Sequence, residues 1–167
     1  MGERLTENDV KKIQAEIEYR KLTVRKEAIE AVKEARAPGE LSENFEYYAA
    51  KKDKNKNESR IRYLERMLKT AEIVSEDSKA DEAGMNNVIE VYFEDDDETE
   101  TYKLVTSIRG NSLDNKISIE SPLGKAILGH REGDRVWVKI NESAGYYIVI
   151  KKILKNTDDT EDEIKSF

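Results

Sequence analysis

The chain has 167 residues, of which 39% are charged and 37% hydrophobic, and its net charge is −7. A compact single core of this length normally has a larger apolar share, so the composition favours an elongated molecule that buries only a seam. The absence of cysteine excludes disulfides, thiolate zinc sites and a cysteine nucleophile, and a single histidine excludes a histidine metal cluster. No stretch approaches the roughly 20 apolar residues of a membrane span, and the chain does not open with the apolar core of a signal peptide. We therefore expect a cytoplasmic protein that does not contact a membrane.

Charge is distributed unevenly along the chain. Residues 1–75 carry 17 Lys and Arg against 15 Asp and Glu, whereas residues 76–167 carry 12 against 21. This asymmetry predicts two segments with different roles. It also disfavours simple binding of bare duplex DNA, which requires a basic domain.

Two long helices are predicted in the first half of the chain. The first starts at Thr6, which can cap it, and stops at Pro38-Gly39; the second begins near Ser42. Apolar residues recur along the first at three- and four-residue steps, at Val10, Ile13, Ile17, Val24, Ala28 or Ala31, Val32 and Ala35. The seam of the second runs through Tyr47, Ala50, Lys54, Asn57, Ile61, Leu64, Leu68 and Ala71.

The two seams match as an antiparallel hairpin folded at residues 37–41. The numbers of facing residues should then sum to about 78, as Ile17 with Ile61 and Val32 with Tyr47 do. Each arm would be about 42 Å long. The polar seam residues Arg20, Lys54 and Asn57 have two interpretations. They fix the register and oligomeric state, for which we expect a monomer, or they join a basic stripe for a polyanion with Lys51, Lys52, Lys56, Arg60, Arg62 and Arg66. Within this stripe Lys52, Lys56 and Arg60 are the main candidates to face the polyanion.

The second half of the chain changes to a period of two. After a polar linker at 76–87, residues 88–156 are predicted to form a small antiparallel sheet with one short helix at Pro122 to Gly129. The strand candidates are residues 88–93, 100–105, 116–120, 135–140 and 146–153. Residues 157–167 are predicted to be a loose acidic tail. The fold class is therefore α+β, with a coiled-coil hairpin at 1–75.

Two other features of the second half have ordinary structural interpretations. The acidic run Glu94 to Glu98 is expected to be a solvated hairpin turn, because it lacks the glycine and the terminal glutamate of a helix-loop calcium motif. A metal site there is the alternative. His130, at the end of the short helix, is expected to interact with the helix dipole and to have no catalytic role.

The turn of the hairpin carries three carboxylates, from Glu40, Glu43 and Glu46. The helix dipole accounts for Glu43 and Glu46 in a first turn, but less well for Glu40, which precedes the cap Ser42. Two exposed carboxylates are too few for a complete oxygen cage. They suit a loosely held Mg²⁺ whose other ligands come from another macromolecule, reached through a narrow channel.

Two motifs resemble the bacterial Gre transcript cleavage factors, over about residues 5–154. The family's tip typically reads Gly-Asp-Leu-x-Glu-Asn-x-Glu-Tyr, where Gly39 to Tyr47 here reads Gly-Glu-Leu-Ser-Glu-Asn-Phe-Glu-Tyr. Ile117 to Gly129 resembles Ile-Ser-x-x-Ser-Pro-x-Gly-x-Ala-Leu-Leu-Gly, and Gly133-Asp134 also fits.

The resemblance implies a fold and a function. The coiled coil would enter the secondary channel of RNA polymerase, and an FKBP-like domain would dock at the channel rim through Ser121, Pro122 and Leu123. Glu40 and Glu43 would help bind a Mg²⁺ shared with the polymerase, which hydrolyses the 3′ end of backtracked nascent RNA. The protein would thus be an accessory factor and not itself the enzyme. Glu40 stands where the family has aspartate, which moves the carboxylate by about 1 Å.

Three rival functions remain. A channel regulator would bind the polymerase without promoting cleavage, and the substitution at Glu40 favours it. A prolyl isomerase is suggested only by the FKBP-like fold, which does not determine function. A coiled-coil adaptor would tolerate charge reversal at Glu40 and Glu43.

Overall fold

A computed structural model shows two compact units. The structure describes residues 2–36, 45–110 and 114–155, together with 162 and 164. One unit contains Glu7–Glu72, and the other contains Glu3–Thr6 with Ile73–Ser166. The predicted α+β class, a helical hairpin followed by a small sheet with one short helix, is confirmed. No helix within the described ranges is long and apolar enough to cross a membrane.

The first unit is a pair of antiparallel helical arms. The ascending arm consists of α1 (Glu7–Tyr19), a π-helical turn (Arg20–Val24) and α2 (Arg25–Arg36), and the descending arm is α3 (Phe45–Thr70). The start of α1 directly after Thr6 agrees with the predicted cap position. The buried apolar residues of this unit are few, namely Ile13, Ile61, Leu64 and Met67. Such a narrow seam explains the low apolar share of the sequence.

The π-helical turn was not predicted from the sequence. It begins at the polar residue Arg20, where the apolar seam is interrupted. A π-turn takes an extra residue and so shifts the phase of the helix that follows. Apolar spacing alone cannot reveal it here, because no glycine or proline marks the position.

The second unit contains a five-stranded sheet. Its strands are β3 (Val88–Phe93), β4 (Glu98–Val105), β5 (Lys116–Ser118), β6 (Arg135–Lys139) and β7 (Gly145–Leu154), and their order in the sheet is β5-β4-β3-β7-β6. Two short strands, β1 (Arg4–Leu5) and β2 (Glu72–Ile73), do not belong to this sheet. The short helix α4 is Pro122–Ile127, and Ile127 joins the core formed by the inward side chains of the sheet. The prediction of a purely antiparallel sheet is wrong at one pair: β5 runs parallel to β4, because the chain crosses over through the 3₁₀ turn at Ser107–Arg109.

The predicted linker at 76–87 belongs instead to the second unit. Ala83 and Met85 are buried in its core. The Lys155 ammonium donates to four oxygens, from Ser78 Oγ, Lys79 O, Glu82 O and Asn87 Oδ1, at 2.7–3.0 Å. Polar composition suggested a linker, but these four oxygens accept hydrogen bonds from Lys155 within the second unit.

The predicted boundary of the first domain also changes at the N-terminus. Leu5 is fully buried, and its carbonyl accepts a hydrogen bond from Val74 N at 2.8 Å. Arg4 pairs with Glu120 at 3.1 Å. A two-residue strand is too short for a periodic signal, so sequence spacing could not assign it to the second unit.

Candidate functional site

The acidic turn between α2 and α3 is the principal candidate site. Glu40 and Glu43, with residues 37–44 as a whole, lie outside the described residues. The described helices on either side end at Arg36 and begin at Phe45. In the sequence, Glu40 and Glu43 therefore belong to the segment that connects the two arms of the hairpin. Two carboxylates offer hard oxygen ligands of the kind that Mg²⁺ accepts, but too few to hold it without additional donors.

A polar network joins the two arms at the middle of the hairpin. Arg60 donates from Nε and Nη2 to the two carboxylate oxygens of Glu16, at 2.8 and 3.2 Å. Arg20 donates from Nε to the same carboxylate at 2.7 Å and from Nη1 to Asn57 Oδ1 at 3.0 Å. Burial tends to raise the pKa of Glu16, but these hydrogen bonds from Arg60 and Arg20 outweigh it and lower the pKa. Facing residues here agree with the predicted register, which supports the register interpretation of the polar seam.

The structure separates the three predicted RNA-facing cations. Arg60 is buried and bonded to Glu16, so its guanidinium serves the hairpin and is not presented to a ligand. Lys52 and Lys56, by contrast, are exposed, one turn apart on α3. Neither forms an ion pair with the residues that the structure describes. Of the three, Lys52 and Lys56 keep the predicted availability to a polyanion.

The predicted partner-binding loop is built on a helix start. Ser121 Oγ donates to Ser118 O at 2.6 Å and accepts from Gly124 N at 3.1 Å, so Ser121 caps α4 and Pro122 occupies its first turn. Leu123 packs partly against the core. Pro122 alone of the three is exposed. Ser121 and Leu123 therefore shape the loop, and Pro122 is the one of the three whose side chain is exposed on its surface.

At Gly124 the backbone of α4 comes close to the backbone of β5, which fixes the same loop. A Cβ at this position would lie 1.9 Å from Ser118 O. We expect Gly124→Ala to lower the free energy of unfolding of the second unit by about 2–3 kcal/mol, because the strand and the helix start must move apart. Chemical denaturation of the full chain measures this loss. Lys125→Ala, at an exposed site in the same helix, is the control, and equal stability of the two variants would contradict the close approach.

A cation cluster in the second unit was missed by the sequence analysis. The carboxylate of Asp162 accepts from Arg109 Nη1 at 2.9 Å, Lys103 Nζ at 3.0 Å and Lys116 Nζ at 2.9 Å. Arg109 is almost fully buried and also donates to Asn86 Oδ1 at 2.7 Å. Burial tends to raise the pKa of Asp162, but hydrogen bonds from Lys116 and Lys103 outweigh it and lower the pKa.

At Asp162 the structure departs from the predicted loose tail at 157–167. Asp162 is one of the two described residues of that segment, and it is bonded into the second unit and nearly buried. Sequence composition carries no signal of this contact, since an acidic, sparsely apolar segment is typical of disorder. The convergence of three cations from distant positions in the sequence identifies Asp162 as an acid that is held.

The acidic turn at Glu94 and the single histidine have structural roles. The turn joins β3 to β4 as predicted, and Glu94 accepts two hydrogen bonds from Arg135 at 2.8 and 3.0 Å. His130 Nδ1 lies 3.2 Å from Asp134 Oδ2. Across the described part of the chain, no group of three or more His, Cys, Asp or Glu residues could hold a metal ion.

Family comparisons agree with this two-unit architecture, a helical hairpin followed by a sheet domain with one short helix. The model "Transcription elongation factor, N-terminal" matches residues 3–73, and "Transcription elongation factor, GreA/GreB, C-term" matches residues 77–155. These matches define the class as transcription elongation factors. The chain belongs to the GreA/GreB family within that class.

Two GreA relatives support the same assignment. Transcription elongation factor GreA of Thermoanaerobacter pseudethanolicus is 44% identical over 137 residues, which cover 81% of this chain and 87% of the relative. GreA of Lachnoclostridium phytofermentans is 40% identical over 149 residues, covering 88% and 92%. Among solved structures, that of the transcription factor Gfh1 is 28% identical, covers 92% of this chain and 97% of its own, and has a TM-score of 0.46.

Proposed function

We propose that this protein acts on RNA polymerase and stimulates Mg²⁺-dependent cleavage of backtracked nascent RNA. The hairpin enters the secondary channel, and the second unit docks at the rim through the loop that presents Pro122. Family membership across both units supports the site of action. The observation that carries the chemistry is the pair of acids, Glu40 and Glu43, at the turn of a hairpin whose described arms reach Arg36 and start again at Phe45.

Each part of the hairpin has a separate role in this proposal. The polar network around Glu16 and Arg60 fixes the register of the arms and so the position of the turn. The exposed cations Lys52 and Lys56 lie on the arm that follows the turn and favour a nearby polyanion such as RNA.

A Mg²⁺ ion would be held jointly with the polymerase. Carboxylates suit a magnesium ion, and Glu40 and Glu43 would add two ligands to those that the polymerase supplies. When bound, the ion would supply activation of the attacking water in a two-metal hydrolysis. Glu40 and Glu43 would hold the ion and balance its charge, while the polymerase performs the hydrolysis, so the protein is an accessory factor.

A transcript-cleavage assay on stalled elongation complexes tests the proposal. The full chain is added to complexes with 5′-labelled RNA, and binding to the polymerase is measured in parallel. We expect shortening of the RNA that requires both the protein and Mg²⁺. Tight binding without shortening would support the second candidate, a channel regulator that does not promote cleavage, which Glu40 in place of aspartate favours. Absence of binding would refute both.

A further inference from the structure

The sheet of the second unit has an open edge at β6. Among the strands that the structure describes, β6 is last in the order β5-β4-β3-β7-β6, so only one of its sides is paired there. Ile150 N donates to Asp134 O, and Ile140 N donates to Ala144 O, each continuing the β6–β7 register. In an antiparallel ladder alternate residues direct their backbone groups to the partner. Val136 and Val138 therefore bond to β7, and the backbone N–H and C=O groups of Arg135, Trp137 and Lys139 point to the open edge.

The same three residues carry the exposed side chains of the strand. Burial along β6 alternates strictly, with Val136 and Val138 inside and Arg135, Trp137 and Lys139 outside. The Trp137 side chain is 48% exposed, although proteins generally bury a residue of this size. The three residues whose backbone groups point to the open edge therefore also have exposed side chains. The addition of a further strand requires both.

Trp137 is held in place before any partner binds. A Cβ at Gly145 would lie 2.5 Å from Trp137 Cζ2, so the indole lies against the backbone of β7. Its ring meets Tyr147 edge-on, with the centroids 4.9 Å apart. Arg135 in turn lies over the Tyr147 ring, 3.5 Å from its centroid. A fixed aromatic loses little conformational entropy on binding, as is typical of binding hot spots.

Charge decides which strand fits the edge. Lys139 pairs with Glu142, whose side chain is 96% exposed, so that this pair is readily exchanged for another. Arg135 uses Nε and Nη2 for Glu94 in a partly exposed pair, whose acidic partner is also open to exchange. A second copy of β6, paired antiparallel about Trp137, would place Arg135 opposite Lys139 of the other copy. Like charges in directly opposed positions are destabilising, so the edge disfavours its own copy.

We propose that the β6 edge binds an extended peptide segment of a protein partner as a sixth, antiparallel strand. The segment has the pattern acid-x-apolar-x-acid, with its carboxylates opposite Lys139 and Arg135 and a β-branched or aromatic residue opposite Trp137. Main-chain hydrogen bonds to Arg135, Trp137 and Lys139 provide the affinity, and the alternating side chains provide the selectivity. This inference does not depend on the proposed cleavage function.

Solution NMR of the full chain tests the inference with a capped peptide of sequence Thr-Glu-Thr-Val-Thr-Glu-Thr. In the free protein we expect rapid hydrogen exchange at the amides of Arg135, Trp137 and Lys139, and slow exchange at Val136 and Val138. Addition of the peptide should shift the resonances of β6 and protect the three edge amides. Protection that rises with protein concentration alone would assign the edge to a second copy and overturn the proposal.

Modified peptides separate strand addition from simple charge attraction. Residues directly opposite Arg135, Trp137 and Lys139 direct their N–H groups towards β6. N-methylation of the Glu and Val amides should therefore abolish binding, whereas N-methylation of the intervening Thr amides should preserve it. Lys in place of both Glu residues should weaken binding about tenfold, and Lys139→Glu should reduce or reverse this preference. Equal binding by both N-methylated series, or no binding by the parent peptide, would refute strand addition.

Discussion

Glu43→Ala is expected to lower the rate of stimulated RNA cleavage about a hundredfold or more while leaving polymerase binding unchanged. The reason is that a positioned ligand of the catalytic ion contributes to the reaction but little to the affinity of a long hairpin. The variant should also require more Mg²⁺ for half-maximal cleavage, because one ligand has been lost. The cleavage rates of the variant and of the unaltered protein are measured on the same stalled complexes at saturating concentration of each protein.

The control for Glu43→Ala is Glu18→Gln, which removes an exposed carboxylate from α1, far from the turn along the same arm. It should cleave at the rate of the unaltered protein. If Glu43→Ala also cleaves at that rate, the acidic turn has no part in the chemistry. If Glu43→Ala loses polymerase binding as well, the residue acts in docking.

Glu40→Asp tests the residue that departs from the family pattern. Shortening the side chain moves the carboxylate by about 1 Å, and a positioned reaction is sensitive to this distance. We expect cleavage to fall, because in the proposed site the longer glutamate side chain places the carboxylate at the ion. A rise in cleavage would instead show that glutamate impairs the site and would favour the channel regulator.

Asp162→Asn is expected to lower the free energy of unfolding of the second unit by about 3 kcal/mol. Arg109 is almost fully buried, and removal of the charge opposite it leaves a poorly compensated buried cation. Chemical denaturation of the full chain, followed by the fluorescence of Trp137, measures the loss. Glu142→Gln, at an exposed acid of the same unit, should change stability by no more than about 0.5 kcal/mol. Equal stability of the two variants would show that Asp162 does not hold the cluster.

The pH dependence of the same variant gives a second test. The pKa of Asp162 is lowered in the folded protein, because the hydrogen bonds from Lys116 and Lys103 outweigh its burial. Its stabilising contribution is therefore present above the unfolded pKa of about 3.9 and is lost as the pH falls through the lower, folded value. The stability difference between the unaltered protein and Asp162→Asn should be constant at neutral pH and shrink below about pH 4. A difference that persists at still lower pH would assign the effect to another cause.

The helices and most strands were predictable because their signals are local. Apolar residues at three- and four-residue steps specify a helical seam, and alternation around Val136 and Val138 specifies a strand with one buried face. Ser121, Pro122 and Gly129 likewise mark both ends of a short helix through local backbone preferences. The motif around Glu40 and Glu43 was also readable from the sequence, and its chemistry remains the proposal to be tested.

Other features were decided only by tertiary structure, because they depend on residues far apart in the chain. The parallel pairing of β5 with β4 follows from a crossover that periodicity does not encode. Arg60 belongs to a basic stripe by spacing alone, yet the opposite arm places Glu16 against it and buries it. Asp162 belongs to an acidic tail by composition, but Arg109 and two lysines hold it. The sequence by itself thus determined the two units and the position of the acidic turn. Long-range electrostatics and packing determined which charges remain available to a partner.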